Sequence, residues 1–204
     1  MNEAAKNNIF RNNATKNLSL ASMFIAIGLI LPTLVTMHVP EIGRMLLPMH
    51  IPVLFCGLIC GRKYGLIVGF ILPLMRGFMF GIPVLFPNGA SMAFELATYG
   101  FVIGLIYHNI APRKNIFSLF LSLITAMIIG RIVWGTAMAL LLGLSGGYFT
   151  WQLFIAGAFV NALPGIILQL ILIPAIMAAL NRAGLIRFSK KQFSGELAEV
   201  SLEG

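Results

Sequence analysis

The chain has no aspartate anywhere in its 204 residues and only six glutamates. Together with the lack of a His-Glu-x-x-His pattern, this argues against an intramembrane di-acid protease or metalloprotease. No glycine-rich loop closes in Gly-Lys-Ser/Thr, so the chain has no such phosphate cradle, and any ATP energy must come from a partner. The two cysteines, Cys56 and Cys60, lie four apart in an apolar block. That spacing suits neither a redox pair nor a zinc site, and we read both as packing residues. Low-complexity sequence is absent, as is any repeat that suggests the inverted halves of many secondary transporters. No catalytic residue and no metal site is expected.

Charge is scarce overall: 10% of residues are charged against 59% hydrophobic, and the mean hydropathy is +0.94. An ordinary soluble domain is thereby excluded. A membrane span takes about 17 to 25 apolar residues, so the length admits six helices with tight connections. The net charge of +8 would suggest nucleic acid in a soluble protein, but here the basic residues flank hydrophobic blocks. Eleven of the fourteen fall in four places: Lys6, Arg11 and Lys16; Arg62 and Lys63; Arg113 and Lys114; Arg182, Arg187, Lys190 and Lys191. If each apolar block crosses a bilayer, all four places share one side, the positive-inside pattern with both termini cytoplasmic. The basic start before the first apolar run lacks a small-residue cleavage site, and we read it as a retained first helix rather than a signal.

The expected helices run over Leu18–Met37, Leu46–Cys60, Tyr64–Phe80, Asn88–Tyr107, Ile116–Leu144 and Trp151–Leu180. A cytoplasmic segment, 1–17, precedes this membrane domain of 18–181, and a polar tail, 182–204, follows it. Pro48 and Pro52 fall in the second helix, where missing backbone bonds must be met by neighbours or water. Gly81 to Pro87, with two prolines, reads as a stiff apolar outer loop that serves as a lid, its prolines lowering the entropy lost on closure.

The remaining ionisable groups, Arg44, Arg76, Arg131, Glu41, Glu95, His38 and His50, need a reason to sit near hydrocarbon. At about 1.5 Å per residue, Glu95 lies roughly 10 Å from the outer end of its helix, and Arg131 and Asn161 roughly 15 to 20 Å from theirs. Arg76 and His50 are about a turn from outer ends. A water-filled cavity open to the outside explains this convergence. Plainer readings stand beside it: Glu95 and Arg131 neutralising each other, Arg76 snorkelling to the interface, and the histidines solvated. Tyr99 follows Glu95 by one turn, and Trp134 follows Arg131 on the same face, offering a ring for stacking. Trp151 reads as an interface anchor. Asn161 can hydrogen-bond a ligand or glue helices, and for Gln169 we favour glue.

Leu47-Pro48-Met49-His50-Ile51-Pro52-Val53-Leu54, Gly61-Arg62-Lys63-Tyr64-Gly65, Met92-Ala93-Phe94-Glu95-Leu96-Ala97-Thr98-Tyr99-Gly100 and Asn161-Ala162-Leu163-Pro164-Gly165 together resemble the substrate-binding S components of energy-coupling factor (ECF) vitamin importers. The resemblance implies an all-α, six-helix protein of the bacterial cell membrane. It would capture a vitamin in its outer half and then topple on a coupling subunit that carries two ATPases. It needs no cofactor of its own. The implied ligand region holds Glu95, Tyr99, Arg131, Trp134 and Asn161, with Arg76 and His50 nearby. Docking in the family uses small residues four apart on the first helix, here Ser22 and Ala26, with Gly28 close by. One excess positive charge among the interior groups favours a ligand with a carboxylate or phosphate, such as pantothenate. A pyridoxine-like or flavin ring would suit Trp134 and Tyr99. The rival reading is a self-sufficient proton-coupled carrier working through Glu95.

Overall fold

A computed structural model describes residues 3–38, 46–110, 116–147, 150–157 and 162–183. Among these residues every regular element is helical: α1 Glu3–His38, α2 His50–Cys60, α3 Arg62–Phe80, α4 Ala90–Leu105, α5 Ile116–Leu144, α6 Trp151–Ile155 and α7 Leu163–Arg182. A wide turn, Leu85–Gly89, leads into α4, and a second, Ile106–Ile110, leaves it.

Five helical stretches are long and apolar enough to cross a membrane: Ala14–Met37, Arg62–Phe80, Leu85–Asn109, Ile116–Leu144 and Leu163–Arg182. The second expected helix is shorter than foreseen. It begins at His50 rather than Leu46, because a residue before proline is kept out of the right-handed helical region. Leu47, preceding Pro48, takes a φ of 50°. The resulting 11-residue helix is about 16 Å long, roughly half of the hydrocarbon thickness. Of the sixth expected helix, Trp151–Leu180, the described residues form two helices. Helix α6 ends at Ile155, and α7 starts anew at Leu163 with a proline in its first turn, where the missing N–H would be unpaired anyway. The fifth expected helix matches α5 at both ends.

Helix α4 is the most buried of the spans and packs against α2, α3 and α5. Its neighbours bring Val53, Leu54 and Cys56 from α2, Leu72 from α3, and Leu119, Leu123 and Ala126 from α5 into a core with no exposed surface at these side chains. The approach of α3 to α4 is close enough to require glycine. A Cβ on Gly65 would collide with the carbonyl oxygen of Gly100, and one on Gly100 would collide with that of Gly65. In lipid, where apolar transfer does not favour helix over tail, such backbone proximity is what holds helices together. It also sets the rotation of α4, turning Glu95 and Tyr99 inward.

Candidate functional site

Glu95 lies on the buried face of α4, 1% exposed, and Tyr99 follows one turn later at the same exposure. Arg131 of α5 reaches Glu95 with Nη1 at 3.0 Å from Oε1. His50, the first residue of α2, comes in from the other side, its Nε2 at 3.7 Å from the same oxygen and its ring 5.3 Å from that of Tyr99. Three separate helices thus deliver one buried cluster. Removing two charges from water costs several kcal/mol per ion, and only close pairing offsets it. The 3.0 Å contact supplies that pairing, so Arg131 and Glu95 neutralise each other. Neither ring nitrogen of His50 has a hydrogen-bond partner among the described residues.

His50 also borders a cavity of about 460 Å³. Thr36 of α1, Met49, Arg76 of α3, Pro83, Asn88 and Met92 line it too. Arg131 and Glu95 are not among its lining residues. Arg76 does not snorkel outward: it is 7% exposed and turns across to α1. There Nη1 donates to the carbonyl oxygen of Leu29 at 2.7 Å and to Thr33 Oγ1 at 3.0 Å. Its guanidinium also lies 5.2 Å from the Phe80 ring centroid, a cation–π distance. The expected lid supplies Ile82, Pro83 and Val84 to the cavity wall. Its first residue, Gly81, caps α3 at φ 69° through a bond from its N–H to the Gly77 carbonyl. Left-handed φ is where glycine alone pays no Cβ penalty.

Trp134 takes no part in the Glu95 cluster through its ring contacts. It is half-buried and stacks on Phe154 with centroids 6.4 Å apart and planes at 26°; Phe154 in turn stacks on Trp151. The same-face spacing placed Trp134 beside Arg131 along the helix, but the indole turns toward α6, whose position the spacing does not encode. Trp151 is 70% exposed. Gln169 is fully buried, and its amide has no hydrogen-bond partner among the described residues. Asn161, Glu41, Arg44 and the His38 side chain lie outside the described residues.

On α1, Ser22 and Ala26 face outward, whereas Gly28 is buried against Leu72. Ser22 meets its own hydroxyl requirement by donating to the Leu18 carbonyl at 3.0 Å. Sequence reasoning missed Thr33, Thr36 and Asn88. The available signal was the need of Arg76 for acceptors, and threonines on the adjoining helix are the natural source.

The model of the family described as "ECF transporter, substrate-specific component" matches residues 16–177. No curated protein and no solved structure matches the chain. The matched segment holds the apolar helices, the Glu95 cluster and the cavity residues alike. With a family match over most of its length and several membrane-length helices, this multi-pass membrane protein belongs to the family of substrate-specific components of ECF transporters.

Proposed function

We propose that this chain is the binding subunit of an ATP-driven importer of the bacterial cell membrane. It takes a water-soluble vitamin or precursor, pantothenate-like or pyridoxine-like, from outside and delivers it by toppling on a transmembrane coupling subunit with two ATPases. The observation that carries this reading is the cavity of about 460 Å³ bordered by buried Arg76 and His50. It lies within the range of small-molecule sites, which join an apolar wall to a few polar groups. The positive-inside pattern of the basic segments favours both termini in the cytoplasm, and with them 1–17 and 182–204. On that topology α2 acts as the sixth membrane element, and the cavity opens outward. In this proposal His50 and Arg76 meet the ligand at the cavity wall, and Glu95, Tyr99, Arg131, Trp134 and Asn161 belong to a wider ligand region. The paired state of Glu95 weighs against the carrier reading, because a carboxylate held at 3.0 Å by Arg131 is poorly placed to exchange a proton.

Purified alone and reconstituted in liposomes, the chain is expected to bind one ligand per protein yet to show no uptake under a pH gradient. Uptake should appear only when the coupling subunit, both ATPases and ATP are added. Gradient-driven uptake by the chain alone, abolished in Glu95→Gln, would replace the importer reading with the carrier.

We assign docking to the outward face of α1 at Ser22 and Ala26. Replacing both by leucine should change the stability of the isolated chain by less than about 0.5 kcal/mol, as is usual for exposed sites. Co-purification with the coupling subunit should be lost. If the double variant is retained as well as the wild type, docking lies elsewhere.

A further inference from the structure

Resting on the binding-subunit reading above, we infer that the cavity between α1, α2 and α3 takes a solute bearing a single carboxylate. Its head group pairs with Arg76 and accepts a hydrogen bond from His50, and Asn88 lies at the same wall. Charge is the first support. Among the described residues within the bundle, Arg76 and Arg131 bring two positive charges and Glu95 one negative. The Arg131–Glu95 contact matches one pair, which leaves Arg76 buried with neutral partners, the Leu29 carbonyl and Thr33. A buried cation with only neutral partners calls for a counter-charge.

Geometry is the second support. The hydrogen bonds of Arg76 to Leu29 and Thr33 both come from Nη1, and a guanidinium carries further donors in a fixed planar fork suited to a carboxylate. His50 is 1% exposed, lines the same cavity, and has both ring nitrogens without a hydrogen-bond partner among the described residues. An unmet polar group in a cavity wall is satisfied when a ligand arrives with the complementary atom. The count also selects the class. One unmatched charge suits a carboxylate at −1, whereas a phosphate monoester carries about −1.5 to −2 at neutral pH and would leave negative charge in excess.

The test measures thermal unfolding of the full chain in neutral detergent. The probes are pantothenate, nicotinate and butyrate, each against its uncharged counterpart, panthenol, nicotinamide and butyramide, at matched ionic strength. At least one acid should stabilise the protein more than its partner does, and should bind about 10- to 100-fold more tightly, the range for a hydrogen bond to a charged group. Arg76→Met should erase that preference, Arg76→Lys should keep part of it, and His50→Ala should shrink it. No acid exceeding its partner, or an undiminished preference in a folded Arg76→Met, would overturn the proposal. So would an acid preference that appears only in Glu41→Gln, since Glu41 would then hold the counter-charge. Uptake by the chain alone would instead remove the importer reading while leaving the carboxylate site in place.

Discussion

Arg131→Met should destabilise the protein by about 3–5 kcal/mol, the usual cost of stripping one partner from a buried ion pair. Glu95 would be left 1% exposed, with the His50 ring at 3.7 Å as the remaining basic group beside it. A lone carboxylate there must either stay ionised without compensation or take up a proton, and both routes cost free energy. The reverse change, Glu95→Gln, strands Arg131 in the same way, with its Nε already lacking a hydrogen-bond partner among the described residues. The double variant Glu95→Gln with Arg131→Met removes both charges and should recover most of the loss. Its departure from the sum of the singles measures the pair directly. Unfolding in mild detergent at fixed pH reads all four proteins. Single variants that each cost under about 1 kcal/mol would mean that water reaches the pair, and the dry cluster described above would be wrong.

The second large effect concerns the contact of α3 with α4. Gly100→Ala places a methyl group against the Gly65 backbone, and backbone cannot swing aside as a side-chain tip can. Overpacking of this kind costs about 1–3 kcal/mol, and Gly100→Val should cost more. Because this contact sets the rotation of α4, the larger side chain should also weaken ligand binding through displacement of Glu95 and Tyr99. Gly143→Ala is the control. It lies near the end of α5, where an added Cβ meets nothing within 4 Å, so the higher helix propensity of alanine should leave stability unchanged or raised by up to about 1 kcal/mol. If both alanine variants behave alike, the close approach of α3 and α4 is not what holds the bundle together.

Much of this molecule was legible from local composition. Helix α5 begins and ends where its apolar run does, and α3 differs from expectation at its first turn alone. The first helix starts at Glu3, well before the expected Leu18, and two further misses fall at prolines. Pro48 shortened α2 from its N-terminal side through its effect on Leu47, and within the expected Trp151–Leu180 a helix starts at Leu163 beside Pro164. Hydropathy does not register such breaks, because these segments are as apolar as the helices around them. The reading of Glu95 and Arg131 as mutual counter-ions came from charge and depth, and the two are indeed paired. The fate of Arg76 was not legible, since its acceptors on α1 lie 43 and 47 residues away. The stacking of Trp134 on Phe154 was not legible either, because spacing along a helix identifies a face but not what that face meets.

Sequence by itself determined that the chain is a helical membrane protein and pointed to its family. The reason is that burial in lipid demands long apolar runs with internally bonded backbone, a demand written residue by residue. Only the tertiary structure decided which charges are spent on each other and which border a cavity. That division depends on how far each helix is rotated and shifted against its neighbours, and here glycine contacts between α3 and α4 set the rotation. Glu95 of α4 thereby meets Arg131 of α5, while Arg76 of α3 borders the cavity beside His50.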